Sequence, residues 1–158
     1  MRRDLLAEVR LAMKSTEQLV AELVDREAIR DLPVRYCDCV WRGDLDGLVG
    51  LFSTDATFIF KGRERETATK GHVDLKKMYE TALADATPRP YIHNHVVDLK
   101  GNGRASGRCY VELRSISRAM DWIGSGYYED DYVKAGDNWK FQSRRFVPIG
   151  TVNLARKS

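Results

Sequence analysis

Apolar residues recur at helical spacing through the first third of the chain, which predicts that this part is built from amphipathic helices. Ser15 and Gln18 have the spacing of a capping box, in which each side chain bonds the backbone N–H of the other residue, so a helix is expected to begin here. Before it, residues 1–14 are predicted to form a short N-terminal helical extension. Its apolar series is Leu5, Leu6, Val9 and Ala12.

A second helical stretch spans residues 27–41. Pro33 lies inside it, and because proline has no backbone N–H and its ring crowds the preceding turn, we expect the helix to kink or restart there. Gly43 then predicts the end of the helix, and Asp44 is expected to cap a short helix over residues 45–51. The apolar face of the second stretch consists of Ile29, Leu32, Tyr36 and Val40.

The remainder of the chain is mostly strand-like, with one further helix predicted over residues 73–84. The turn-forming residues 135–138 are expected to join the last two strands as a hairpin. This order of elements predicts an α+β domain whose helices cover one face of a curved antiparallel sheet and leave a blind conical pocket. The predicted strands are 56–60, 91–99, 104–118, 124–134 and 139–147.

The composition is typical of one folded domain. Of 158 residues, 43% are hydrophobic and 31% are charged, which excludes a disordered chain. The net charge of +3 gives no reason to expect a nucleic-acid partner. No apolar run approaches the roughly 20 residues that span a bilayer, and the N-terminus lacks the apolar core of a secretory signal. We therefore expect no membrane partner and a cytoplasmic location.

Cysteines offer little for metal chemistry. Cys37, Cys39 and Cys109 are an odd set without the second close pair that a zinc site needs. We expect reduced thiols and no metal ligands.

The predicted strand 91–99 carries two of the three histidines. His93 and His95 share one face of this strand, and Asn94 lies on the other. Unless a bulge intervenes, either the histidines or Asn94 should therefore face the pocket.

Five stretches of the chain match the sequence pattern of a known family: residues 26–32, 42–48, 94–101, 126–130 and 139–145. Together they resemble SnoaL-like proteins of the nuclear transport factor 2-like superfamily, over about residues 15–148, so residues 1–158 are interpreted as one domain. The resemblance implies a cone-shaped α+β barrel, with the sheet wrapped around the N-terminal helices, in a homodimer or homotrimer. Enzymes of this shape, such as scytalone dehydratase and ketosteroid isomerase, mostly need no metal or cofactor, so none is expected here.

The dehydratase branch of this superfamily implies a catalytic pair in which an Asp orients a His and the His removes a proton. Where that branch has its Asp, this chain has Trp41, and the nearest carboxylate is Asp38, one helical turn earlier. The position of the His falls on Pro90, or on His93 if the start of the strand is shifted by three residues. We predict His93 as the base and Asp38 as its partner.

A further set of residues is predicted to contact the substrate. The indole of Trp41 could stack on a flat apolar molecule. A buried Asp130 could stay protonated and donate a hydrogen bond to an enolate. Arg144 and Arg145 resemble strand-end arginines of the family and are expected to be structural. The predicted substrate-binding residues are Tyr36, Trp41, Asn94, Tyr128 and Asp130.

These features favour a cofactor-independent lyase or isomerase of dehydratase type. It would transfer protons by general acid and base catalysis on a small apolar molecule, such as an aromatic, polyketide-like or steroid-like compound. One alternative is a non-catalytic domain that binds a hydrophobic small molecule, which Trp41 in place of the Asp favours. Another is the small structural subunit of a ring-hydroxylating dioxygenase.

Overall fold

A long N-terminal helix, α1 (Thr16–Arg42), begins at the predicted capping box. In this computed structural model, which describes residues 14–151, the Ser15 side chain accepts from the Gln18 N–H at 3.2 Å and the Gln18 side chain accepts from the Ser15 N–H at 2.8 Å. The predicted extension over residues 1–14 lies, apart from Lys14, outside the described residues. The predicted helix start is confirmed.

Pro33 does not restart the helix, because α1 runs through it without interruption. That part of the expectation is wrong. Proline removes one hydrogen bond, to the carbonyl of Ile29. Packing offsets that loss, since Pro33 is fully buried against the core together with most of the apolar face of α1. The buried residues of α1 are Ile29, Leu32, Pro33, Tyr36, Cys39 and Val40.

The remaining elements follow the predicted order, with one strand that was not predicted. Gly43 ends α1 in the left-handed conformation, with φ of 67°, and the Asp44 side chain caps the next helix as expected. Strand β2 gave no signal because its side chains are almost all exposed and show no apolar alternation. The elements are α2 (Leu45–Gly50), β1 (Phe52–Lys61), β2 (Glu66–Lys70), α3 (His72–Ala86), β3 (Pro88–Gly101), β4 (Arg104–Ser115), β5 (Asp121–Ala135) and β6 (Asn138–Thr151).

The strands form one six-stranded sheet in the order β2-β1-β6-β5-β4-β3. All neighbours are antiparallel except β1 and β6, which pair in parallel. The helices pack on one face of this sheet, and the core lies between them. This is the predicted α+β fold.

Strand parity alone accounts for the inner face of β4. Cys109 and Val111 are buried against the helices, while Arg108 and Tyr110 between them are exposed. The alternation of apolar and polar residues along this strand is uninterrupted, and so the sequence pattern is sufficient there.

The register shifts at several points on the other strands, and two of these shifts, both β-bulges, decide which site residues face the core. In β3, Ile92 pairs with Val111 and His95 with Cys109, so β3 has one extra residue over this interval. The bulge turns His95 toward the core and leaves His93 and Asn94 exposed. The expectation that His93 and His95 share a face is therefore wrong.

The second bulge lies in β6, at Gln142. Phe141 pairs with Tyr132 and Ser143 with Asp131, so two steps along β6 match one step along β5. As a result, Arg144 is fully buried. Without the bulge, alternation from Phe141 would have turned the following residue, Arg145, toward the core instead.

Candidate functional site

A cavity of about 310 Å³ lies between α1, α3 and the inner face of the sheet. Its walls are largely apolar, and the hydroxyl-bearing side chains among them are three tyrosines and two threonines. The lining residues are Tyr36, Val40, Phe58, Phe60, Thr67, Thr69, Met78, Tyr79, Ala82, Leu83, Pro88, Pro90, Leu113, Tyr128 and Phe146.

The three tyrosines come from three different elements: Tyr36 from α1, Tyr79 from α3 and Tyr128 from β5. The ring of Tyr36 lies edge-on to the other two, with centroids 6.0 Å from Tyr79 and 5.9 Å from Tyr128. Burial raises the pKa of all three phenols, and the charge of Arg144 opposes that rise only in part. The phenols are therefore neutral hydrogen-bond donors. The Tyr79 phenol interacts with that of Tyr36, which raises the pKa of Tyr79 further.

Arg144 lies directly behind these rings. Its guanidinium carbon is 4.2 Å from the ring centroid of Tyr36, 3.7 Å from that of Tyr128 and 4.4 Å from that of Phe141. Such close cation–π contacts stabilise a desolvated guanidinium. Its buried ionic partner is Asp130, with Nε 3.6 Å from Oδ1, which is an ion pair without a hydrogen bond. Burial opposes the charged form of Arg144, but Asp130 and the surrounding tyrosines raise the pKa of Arg144 overall.

A chain of hydrogen bonds runs from Asp130 to His95. The Tyr132 hydroxyl donates to Asp130 Oδ2 at 3.0 Å and lies 3.0 Å from His95 Nε2. Because the hydroxyl has a single proton, a neutral His95 must donate to it from Nε2. Burial raises the pKa of Asp130 to about 6, while Arg144 and Tyr132 oppose that rise. Burial, followed by the charges of Arg144 and Arg30, lowers the pKa of His95 to about 4.

The cysteine thiols are free, as expected. Burial raises the pKa of Cys37 to about 12 and that of Cys109 to about 11. Neither forms a thiolate near neutral pH, so they offer no cysteine nucleophile.

The structure does not bring the predicted catalytic pair together in the cavity. Asp38 is exposed on the far side of α1, where its carboxylate bonds Arg42 at 2.9 Å. His93 is exposed at the bulge of β3, and neither residue lines the cavity. Their catalytic roles stay predictions.

Trp41 and Pro90 contact each other directly. The indole Nε1 of Trp41 donates to the Pro90 carbonyl at 3.0 Å. Trp41 is 38% exposed, packs edge-on against Tyr91 and lies under the Arg89 guanidinium. The two positions that the family resemblance gave to the Asp and the His are thus filled by a tryptophan and a proline that bond each other.

The predicted substrate-binding residues divide into two groups. Tyr36 and Tyr128 line the cavity, and Asp130 is buried behind it. Trp41 and Asn94 do not line it.

Sequence reasoning missed three side chains at this site. Tyr79 lay inside the predicted helix over residues 73–84 without a role of its own, Arg144 was expected to be structural, and Tyr132 was not singled out. The helical spacing of Tyr79 from Leu75 could have placed it inward. No local signal marks the bulge that buries Arg144.

Other features of the described residues do not compete with this cavity. A groove of about 700 Å³ on the outer face of the sheet has both charged and uncharged residues in its lining, and Arg108, Glu129 and Arg145 are among the charged ones. Within residues 14–151, no group of three or more His, Cys, Asp or Glu side chains is placed to hold a metal ion. No helix described here is long and apolar enough to cross a membrane.

A family model of the SnoaL-like domain matches residues 21–145. The chain belongs to the SnoaL-like domain family. The family predicted from the sequence pattern is therefore confirmed. No curated protein matches this SnoaL-like chain.

Solved structures resemble the SnoaL-like chain along most of its length. A variant of Rv3472 from Mycobacterium tuberculosis, a protein of unknown function, has a TM-score of 0.76 at 22% identity, over 87% of this chain and 83% of that one. LinA has a TM-score of 0.74 at 20% identity, over 86% and 93%. A protein from Novosphingobium aromaticivorans, provisionally named a scytalone dehydratase, has a TM-score of 0.72 at 20% identity, over 87% and 92%. At these identities the likeness shows a shared fold.

Proposed function

We propose that this SnoaL-like protein binds a small, flat, apolar molecule that carries an oxygen acceptor. The observation that supports this is the joining of apolar walls and three neutral phenols in one cavity. A volume of about 310 Å³ is at the lower end of the range of ligand pockets, which suits a compact ring system. Phe58, Met78 and Leu83 would bury its rings, and a phenol such as Tyr79 would donate to its oxygen.

Two aromatic molecules of matched shape test this proposal by isothermal titration calorimetry: 2-acetonaphthone, which has a carbonyl, and 2-ethylnaphthalene, which lacks one. A neutral hydrogen bond contributes about 0.5–1.5 kcal/mol, so the ketone should bind about 2- to 12-fold more tightly. Failure of both molecules to bind would refute the pocket assignment. Equal affinities would refute the role of the phenols.

Tyr79→Phe is the variant of choice, because it removes a cavity hydroxyl and keeps the ring that packs on Tyr36 and Phe58. It should lower the free energy of unfolding by no more than about 1 kcal/mol, for the lost contact with the Tyr36 phenol, and reduce the preference for the ketone. Tyr127→Phe is the matched control, since Tyr127 lies on the same sheet but not in the cavity. The control should keep the preference.

A dehydratase-type or isomerase-type lyase activity is the second candidate. The three phenols favour it, since donors around one oxygen can stabilise an enolate. Against it, the described residues that line the cavity include no carboxylate or imidazole to remove a proton. LinA and the provisionally named scytalone dehydratase share the fold, which permits such chemistry without assigning it.

Deuterium exchange into the acetyl group of 2-acetonaphthone, followed by proton NMR in D₂O, separates the two candidates. With a binding protein, the acetyl group exchanges deuterium at the same rate as in buffer without protein. An isomerase accelerates it, and if the predicted pair acts, His93→Ala and Asp38→Ala abolish the acceleration while the affinity for the ketone is unchanged. Acceleration that persists in both variants would show that the predicted pair is wrong.

A further inference from the structure

We infer that the ligand of this cavity is an organic anion, a carboxylate on a flat apolar body, and that Arg144 is the residue that selects it. This inference rests on the proposed function, because it names the chemical class of the molecule bound at the same site. It assigns Arg144 a recognition role in place of the structural role expected from the sequence.

The first observation is a buried cation with spare donors directly behind the cavity wall. Arg144 is fully buried, and among the described residues its Nε and Nη1 have no hydrogen-bond partner. Asp130 Oδ1 faces Nε at 3.6 Å, and no described acceptor bonds Nη1. The Tyr79 phenol is a donor in the wall itself, beside that of Tyr36. Buried donors of this kind are unfavourable unless an acceptor comes within reach.

The second observation is the position of the charge. The guanidinium lies within 4.2 Å of the ring centroids of Tyr36 and Tyr128, and both rings line the cavity. Its positive charge favours ionisation of all three phenols, against their burial. It therefore makes these hydroxyls stronger donors, which gain most from a charged acceptor because charge-assisted hydrogen bonds are about twice as strong as neutral ones.

The third observation is the absence of an opposing charge in the wall. None of the described residues that line the cavity is acidic. Arg144 and Asp130 both lie behind the lining, and Asp130 engages Tyr132 through Oδ2. A ligand carboxylate would therefore meet phenol donors that are backed by the buried cation, without repulsion from an acidic side chain among these lining residues.

The test compares 2-naphthoate with 2-acetonaphthone by isothermal titration calorimetry at pH 7.5. The two molecules share the ring system and the carbonyl and differ in charge. We expect naphthoate to bind at least ten-fold more tightly. If naphthoate binds no better than the ketone, the inference is overturned while the proposed function stands. If neither molecule binds, the proposed function fails and the inference fails with it.

A double variant tests the role of Arg144. Arg144→Met with Asp130→Asn removes both buried charges together, because removing Arg144 alone would leave an unpaired buried carboxylate. This variant should still bind the ketone but lose the preference for naphthoate, and circular dichroism establishes whether it folds. A preference that survives would overturn the assignment to Arg144. If the variant does not fold, the comparison of the two ligands on the wild-type protein still decides the inference.

Arg145→Gln is the matched control. Arg145 is adjacent on β6 but lies on the opposite face of the sheet, where it pairs with Glu66 at 3.1 Å. Arg145→Gln removes a positive charge outside the cavity, so it separates a general effect of charge from the effect of the guanidinium behind the tyrosine rings. The preference for naphthoate should be unchanged in this variant, and its loss would overturn the assignment to Arg144.

Discussion

Removal of the Tyr132 hydroxyl provides the most direct test of the buried chain from His95 to Asp130. Tyr132 is 1% exposed, donates to Asp130 Oδ2 and accepts from His95 Nε2, each at 3.0 Å. A hydrogen bond to a charged group contributes about 1.5–3 kcal/mol and a neutral one about 1 kcal/mol. Tyr132→Phe should therefore lower the free energy of unfolding by about 3 kcal/mol at pH 7.5.

The loss should depend on pH in a defined direction. The hydrogen bond from Tyr132 favours the ionised carboxylate and holds the pKa of Asp130 below the value that burial alone would give. Without that bond the folded-state pKa of Asp130 rises further above its unfolded value, and the stability linked to a raised pKa is lost as the pH rises through it. At pH 5, where Asp130 is largely protonated in both proteins, both lost hydrogen bonds are neutral, and the loss should shrink to about 2 kcal/mol.

Urea unfolding at pH 7.5 and pH 5 measures the loss of free energy of unfolding at each pH. An m-value that is equal in the wild type and in Tyr132→Phe indicates that unfolding exposes the same surface in both proteins. Tyr127→Phe is the control, because the half-exposed Tyr127 ring packs on Tyr110 at the outer face of the sheet and keeps that contact as phenylalanine. Its free energy of unfolding should change by less than about 0.5 kcal/mol. An equal loss at the two pH values in Tyr132→Phe would refute the reasoning, since the hydroxyl would then not be holding a carboxylate.

Three further predictions concern other parts of the fold. In Gly126→Ala the new Cβ would clash with the Val147 carbonyl oxygen, so the free energy of unfolding from thermal unfolding should fall by about 3 kcal/mol. In the control Gly50→Ala the new Cβ enters open space, and the free energy should change by less than about 1 kcal/mol. Equal changes in the two variants would contradict this packing. Ser15→Ala removes the capping box and should cost about 1 kcal/mol in urea unfolding, and no change would show that the cap does not stabilise α1. Burial lowers the folded-state pKa of His95 to about 4, so the unfolded state binds more protons between pH 6.5 and 4. Over that range the free energy of unfolding of the wild type, measured in urea, should fall by about 2 kcal/mol more than that of His95→Gln, after allowance for partial exposure. If the free energies of the two proteins fall in parallel with pH, this prediction is wrong.

The helix boundaries could be predicted because their signals are local. The capping box at Ser15 and the left-handed Gly43 act through atoms a few residues away, and both appear in the structure as expected. Pro33 shows the limit of local rules. Its missing hydrogen bond is a local penalty, but the burial that offsets it comes from the sheet, which the proline rule does not include.

The candidate site was predicted only in part. Tyr36 and Tyr128 were expected to meet the ligand and do line the cavity, because the helical spacing of one and the uninterrupted alternation around the other fix their directions. With uninterrupted parity along β3, either His93 or Asn94 would have faced the pocket, and the bulge that exposes both depends on how β3 pairs with β4.

The amino-acid pattern by itself therefore determined the order of the elements, the ends of the first helix and the inner face of the unbroken strand β4. The tertiary structure decided which polar groups are buried behind the cavity: His95 in place of His93, and Arg144 in place of Arg145. The physical reason is that a β-bulge is a property of two paired strands. Its hydrogen bonds are made with residues distant in sequence, and one extra residue reverses which side chains face the core from that point onward.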